Sequence, residues 1–304
     1  MNIILTSVGN FQEYILDNIR QLLLLGNTNI YVIIESSFFG YFTEFSDKIV
    51  LVDVSELPDT YNYTQKSGMN RMFRDGFWIW TSARFFYIYE CMRKYKLSDV
   101  IHLENDVLIY YNVNVLSPFL DKTRMYVPFD SYKRNIASII YIPNADVLSV
   151  ILDSYSVSHD DMHNFTKHLS SGIVTQFPIF ADYDSKYAEI AFVSTNYDKI
   201  PFLFDAAALG QYLGGVDPRN MPGDTRGFVN ETTVVKFNEF PFVWSNHMTQ
   251  TQIYQPFLVV DDELFPIFNL HIHSKQLSNF TSDSKDPFCN KMFNHLLLQN
   301  MLGR

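Results

Sequence analysis

Residues 3–52 alternate between short β-branched runs and one helical repeat, and this rhythm restricts the fold more than any other feature of the chain. Ile3-Ile4-Leu5 reads as a strand and ends in the small, turn-prone segment Thr6-Ser7-Val8-Gly9-Asn10. From Phe11 to Leu25 the residues Phe11, Ile15, Ile19, Leu22 and Leu23 recur at helical spacing, and Gly26-Asn27 supplies the stop. Ile30–Ile34 and Ile49–Val52 follow as a second and a third strand. Strand, helix and strand in this order imply a βαβ unit, a parallel sheet and an α/β fold class. Ligands of such sheets sit beyond the carboxyl ends of the strands. That rule places Thr6, Ser7 and Glu35 on one candidate rim.

The stretch Val100-Ile101-His102-Leu103-Glu104-Asn105-Asp106-Val107-Leu108-Ile109-Tyr110 returns the chain to the same rim. It is an apolar, β-branched run broken by two carboxylates. Burying a carboxylate is costly unless a cation accompanies it. Glu104 and Asp106 are two apart, so in an extended segment they share a face and repel each other. A divalent cation relieves that repulsion, and oxygen ligands of this kind suit Mg²⁺ or Mn²⁺. The pattern equally fits a strand end with solvated acids, or an Asx-turn built on Asn105-Asp106.

Between these stretches, residues 53–75 read as a polar connection, and Gly76 to Lys96 as a helix with an apolar face. Arg84 falls within that face. It reads either as a snorkelling arginine or as a cation aimed at a phosphate or base near the rim. Short strands are expected at Met125–Val127 and Ser138–Ile142, and a helix from Ala145 to Tyr155. His159-Asp160-Asp161-Met162-His163 suggests a metal, but a helix start capped by Asp160 explains it more simply. Pro201–Phe204 is an apolar run ending at Asp205, which opens a small-residue helix stopped by Gly214-Gly215 and reads either as a simple N-cap or as part of a surface that another molecule approaches closely. Asp217 to Gly227 reads as a flap of the kind that closes over substrates. Phe268 to Lys275 is extended in character, with His271, His273 and Lys275 on one face. It reads as part of a metal and phosphate site or as the polar face of an edge strand. Asn290 to Leu302 is expected to form a short amphipathic helix.

Composition narrows the function classes. With 304 residues, 47% of them hydrophobic, the chain buries a large core. Its formal net charge of -10 argues against a general nucleic-acid binder. Cys91 and Cys289 lack ligand spacing, so neither a zinc site nor a disulfide framework is expected. No signal-peptide pattern opens the chain, and no apolar stretch reaches the about 20 residues that span a bilayer. Asn62-Tyr63-Thr64 and Asn230-Glu231-Thr232 then read as incidental triplets, and a cytoplasmic location is expected. Neither GxGxxG nor GxxxxGK[ST] is present.

These pieces resemble the metal-dependent, nucleotide-sugar glycosyltransferases of the GT-A fold. The likeness rests on the βαβ start without a Gly-rich loop, the aromatic helix with Arg84, Glu104-Asn105-Asp106 and His271-Ile272-His273-Ser274-Lys275, in that order. Glu104-Asn105-Asp106 looks like the D-x-D motif of that superfamily with Glu in first place. The resemblance implies a Rossmann-type, mostly parallel mixed sheet flanked by helices. It implies one catalytic domain over residues 1–304, with a nucleotide-sugar-binding half (1–125) and an acceptor half (126–304). It further implies that Asp106 ligates Mn²⁺ or Mg²⁺, that Glu104 binds the metal or the ribose, and that His271 or His273 completes the ligand set. Lys275 would pair with the diphosphate, Thr6, Ser7 and Glu35 would line the uridine pocket, and Arg84 would contact base or phosphate. Asp205 is the expected catalytic base, with Asp217 and Glu231 behind it. In a retaining enzyme, Asp205 or Gln211 would lie near the sugar face. The implied partners are a UDP-sugar donor and a glycan or other hydroxyl acceptor, and a homo-oligomer is compatible with the chain. A sugar-phosphate nucleotidyltransferase and a non-catalytic carbohydrate-binding protein are the alternatives. The loop Ser7-Val8-Gly9-Asn10 lacks the cations that the first of these usually carries.

Overall fold

In the computed structural model, which describes residues 1–246 and 252–284, the chain opens with β1 (Asn2–Ser7), α1 (Ile15–Leu24), β2 (Ile30–Ile34) and β3 (Ile49–Asp53). All three strands run parallel, with Ile3 opposite Ile30 and Ile30 opposite Ile49. Helix α1 starts later than the apolar spacing from Phe11 suggests. Phe11 is instead drawn into an aromatic stack with Tyr41, their ring centroids 4.4 Å apart. The connection after β3 contains a single-turn helix, α2 (Tyr63–Lys66). The long helix α3 (Phe77–Tyr95) then leads into β4 (Val100–Leu103), which pairs parallel to β1.

The stretch from Val100 to Tyr110 is not one strand. β4 ends at Leu103, and β5 (Val107–Ile109) belongs to a different sheet. The N–H of Val107 donates to the carbonyl of Glu104 at 3.0 Å, so the two acids flank a turn. The reason is pairing. β4 is hydrogen-bonded between β1 and an antiparallel neighbour, and β5 must leave that sheet to meet a strand from the far end of the chain.

The sheet continues through β6 (Met125–Ser131), β7 (Arg134–Asn135) and β8 (Ile139–Ile142). Helices α4 (Ala145–Asp153) and α5 (Asp161–Thr166) precede β9 (Val174–Phe177). The eight strands follow the order β3-β2-β1-β4-β8-β6-β7, with β9 paired to β6. Of their seven pairings, four are parallel and three antiparallel. The fold is therefore the mixed, mostly parallel α/β sheet flanked by helices that the sequence implies. Alternate strand residues face opposite cores. Ile3, Leu5, Ile101 and Leu103 pack with Ile15, Ile19 and Leu22 of α1. Ile4, Val100, Ile140 and Ile142 pack with Phe85, Ile88 and Met92 of α3 and Leu148 of α4.

The later chain supplies α6 (Ala188–Val193), α7 (Leu209–Gly214) and a three-stranded antiparallel sheet of β10 (Phe242–Ser245), β11 (Gln255–Val260) and β12 (Glu263–Pro266). Last comes β13 (Asn269–His271), antiparallel to β5, with His271 opposite Val107. Residues 269–271 end a two-stranded sheet but present no solvated face; all three are buried. The helix expected at Asn290 to Leu302, and Cys289, lie outside the described residues.

Candidate functional site

The turn between β4 and β5 is held from behind by one amide. Asn18, fully buried on α1, donates from Nδ2 toward the carbonyls of Glu104, Asn105 and Val107 at 3.3, 3.1 and 2.9 Å. Asn105 points back into the protein, donating to the carbonyl of Thr6 at 2.9 Å and to Gln12 Oε1 at 2.7 Å. The flanking acids project the other way, toward β13.

His271 is located with equal care. Its backbone N–H donates to Asp205 Oδ2 at 2.8 Å. The same carboxylate accepts from the N–H groups of Ala208, Leu209 and Gly210 at 2.8, 2.9 and 2.7 Å, at the start of α7. One buried acid thus fastens a helix terminus to the strand that carries the histidine. The approach is close enough that a Cβ on Gly210 would lie 2.1 Å from the His271 carbonyl oxygen. Only glycine fits there.

The imidazole Nε2 of His271 lies 3.2 Å from a carboxylate oxygen of Glu104 and 3.2 Å from one of Asp106. Lys275, just beyond β13, donates to the same Asp106 oxygen. Arg84 of α3 donates to the other oxygen of Glu104. Burial disfavours every charge here, so the pairing decides the protonation states. For Glu104, burial opposes ionisation, but Arg84 and then His271 hold its carboxyl well below the usual range. For Asp106, Lys275 and His271 overcome the same burial and keep it low. Burial alone would neutralise His271, yet Asp106 and Glu104 push it up to about 10. His273, whose ring centroid is 4.0 Å from that of His271, is driven the other way by burial and by the neighbouring imidazolium. Glu104, Asp106 and His271 each offer one ligand atom, all within 4.8 Å of one another.

The remaining expected site residues divide into those near this cluster and those drawn elsewhere. Thr6 and Ser7 end β1, and Glu35 follows β2, accepting the Gly9 N–H at 2.7 Å. Glu35 Oε2 is buried without a hydrogen-bond partner among the described residues. Arg84 does not reach the rim as expected. It is buried behind the acids, donating also to Asp161 Oδ2 at 2.7 Å and the Ala137 carbonyl at 3.1 Å. Asp205, expected as the catalytic base, is 0% exposed with both oxygens occupied by backbone donors. In this arrangement the carboxylate holds backbone together and faces no solvent. Asp160 caps α5 through the His163 N–H at 2.9 Å, the simpler of its two readings. Gln211 faces His273 at 3.4 Å.

Two contributors escaped the sequence reading. Tyr14 lies beneath the Lys275 ammonium, 5.5 Å from ring centroid to Nζ. Burial, then Asp106 and Glu104, raises its hydroxyl far above the usual range. Asn18 reads in sequence as a polar interruption of an amphipathic helix, and nothing local marks its three remote acceptors. The segment after Gly215 also reaches the site: Asp217, paired with Arg219 at 3.0 Å, is held low by that arginine and by Lys275 against its burial.

A scan against known protein families finds no match, and a search of curated proteins finds none either. Among solved structures, the fold is similar to the galactosyltransferase LgtC bound to donor and acceptor sugar analogs. That likeness has a TM-score of 0.42 and 12% identity, covering 64% of this chain and 83% of that one. It is also similar to mouse xyloside xylosyltransferase 1, with a TM-score of 0.39, 11% identity, and 58% and 84% covered. An inositol-1-phosphate CTP transferase from T. maritima matches with a TM-score of 0.36 and 11% identity, over 65% and 96%. Among the described residues, no helix is long and apolar enough to cross a membrane. Glycosyltransferases recur among the solved structures similar to this chain.

Proposed function

We propose that the protein is a divalent-metal-dependent glycosyltransferase that moves a sugar from a nucleoside-diphosphate donor, a UDP-sugar in the first instance, to an acceptor hydroxyl. The observation that carries this reading is the convergence of Glu104, Asp106 and His271 at the carboxyl end of the central strand β4. The two carboxylates suit Mn²⁺ or Mg²⁺, and the imidazole favours Mn²⁺ of the two, so the donor set fits an ion that the resemblance implies. Asp106 and His271 Nε2 would hold it directly, with Glu104 offering the oxygen not taken by Arg84. A bound ion of this kind supplies Lewis-acid stabilisation of the negative charge on a departing diphosphate.

The residues of the chain would do the rest. Arg84 keeps Glu104 ionised and oriented from behind. Lys275, now on Asp106, would turn to the diphosphate once a metal neutralises that acid. Thr6, Ser7 and Glu35 would receive the nucleoside, with the unpartnered oxygen of Glu35 accepting a ribose hydroxyl. Gln211, beside His273, and Asp217, beside Arg219, would then stand in for Asp205 as the groups facing the sugar.

The test is the thermal shift produced by UDP with and without Mn²⁺, for the native protein and Asp106→Ala. The variant should keep its fold and lose the Mn²⁺-dependent shift; undiminished UDP affinity would overturn the metal assignment. A screen of UDP- and GDP-sugars for donor hydrolysis then identifies the sugar. Pyrophosphate release from a nucleoside triphosphate and a sugar phosphate would favour a nucleotidyltransferase instead.

A further inference from the structure

The loop before α3 is a second feature that asks for a partner. Met72 is 88% exposed and Phe73 42% exposed. Exposed apolar side chains occurring singly need no explanation, but these two are adjacent and carried on a braced loop. Arg74, Asp75 and Gly76 have φ of 46°, 54° and 81°, three successive left-handed residues. That conformation is costly for the two that are not glycine, and it persists only where neighbours enforce it. Trp80 Nε1 donates to the Asp75 carbonyl at 3.1 Å, and the Trp80 ring lies against Gly9. Arg74 donates to Asn220 and to the Arg219 carbonyl of the segment after α7. The Phe73 ring stacks on Trp78 with planes 10° apart, and the Arg74 guanidinium lies over the Phe73 ring, 5.4 Å from the centroid. The braces hold Met72 and Phe73 outward.

Charge identifies what they meet. Residues 66–80 contain three cations, Lys66, Arg71 and Arg74, against one acid, Asp75, in a chain with 33 acidic and 23 basic residues. None of the three cations makes an ion pair with a carboxylate among the described residues. Arg71 and Lys66 donate only to backbone carbonyls, those of Thr64 and Tyr61. Apolar tips flanked in sequence by cations without carboxylate partners match the boundary of an anionic bilayer: the tips enter the acyl region while the cations stay among the headgroups.

We propose that residues 66–80 dock the protein on an anionic lipid surface through Met72 and Phe73, with Lys66, Arg71 and Arg74 at headgroup level. The inference is independent of the transferase reading, because its test needs neither metal nor donor. The experiment is co-sedimentation of the full chain with vesicles rich in phosphatidylglycerol and with vesicles of phosphatidylcholine alone. The native protein should pellet with the anionic vesicles and be released by high salt. Met72→Asp should weaken binding by roughly tenfold or more, since one apolar side chain no longer leaves water. Arg71→Gln should weaken it roughly fivefold, the share of one cation near an anionic surface. Both variants should retain the native thermal transition. Equal sedimentation of the native protein and Met72→Asp, or no sedimentation at all, would overturn the proposal. A loop built for a soluble glycan or protein would give the second result.

Discussion

Asp205 and His271 are joined by a 2.8 Å hydrogen bond from the histidine backbone, although 66 residues separate them. The bond makes this carboxylate the fastening of the strand that carries His271. Asp205→Asn should therefore act on structure first. An amide presents an N–H pair to backbone donors, so at least one buried contact becomes repulsive. A loss of about 2–3 kcal/mol in urea unfolding is expected, with weaker Mn²⁺ binding by calorimetry. Normal stability and metal affinity with abolished sugar transfer would return Asp205 to the chemistry.

Asn18 sets the other half of the site. Its amide has no substitute among small side chains, and Asn18→Ala takes the donor from the buried carbonyls of Asn105 and Val107, while that of Glu104 keeps the Val107 N–H. The expected cost is about 2 kcal/mol. Mn²⁺ affinity should fall further than nucleotide affinity measured without metal, because the acids lose their common backrest. Equal losses in the two affinities would show that Asn18 supports the fold alone.

Protonation gives a third expectation. The acids push His271 up to about 10, so the metal-free protein carries an imidazolium at neutral pH. An ion that ligates Nε2 must displace that proton. Titration calorimetry at about pH 7 in two buffers of different ionisation enthalpy should report close to one proton released per Mn²⁺. Metal affinity should rise with pH across the neutral range. No release would place His271 outside the ligand set.

His102 supplies an acid-sensitive element unrelated to the metal. It is fully buried on β4, its Nδ1 2.9 Å from the Ile4 carbonyl and its ring edge-on to Phe85. Burial, then Arg84, pushes it down to about 3. Below pH 6.5 the unfolded chain binds a proton that the native state refuses, so stability present above that value is lost as pH falls toward 3. Asp161 works the opposite way below about 6, because burial raises its carboxyl to about 6 and the native state takes up the proton first. The clean measurement is the stability difference between the native protein and His102→Asn. Between about pH 7.5 and about pH 5 it should shift by about 2 kcal/mol in favour of the variant. A pH-independent difference would mean that His102 titrates normally.

The sequence disclosed most where structure is local. Ile30–Ile34 is a strand with the very bounds its β-branched run suggests, and Gly214-Gly215 closes α7 where expected. The segment Val100–Tyr110 misled because its two halves satisfy their hydrogen bonds in different sheets, and partner choice is not written in a period-two pattern. Arg84 and Asp205 are hard to read for a related reason. A charged residue at the edge of an apolar run looks the same whether it faces a substrate or a buried partner from a distant element. Nothing near Asn18 reveals that its acceptors lie some 86 to 89 residues onward.

Asp106 and His271 stand 165 residues apart and meet at one point. An ion gripped there would act as a removable rivet between the opening half of the chain and its closing strand, adding to native stability in proportion to its own concentration. Metal supply would then govern how long the protein survives as well as how fast it works, and a metal-starved cell would lose the two together.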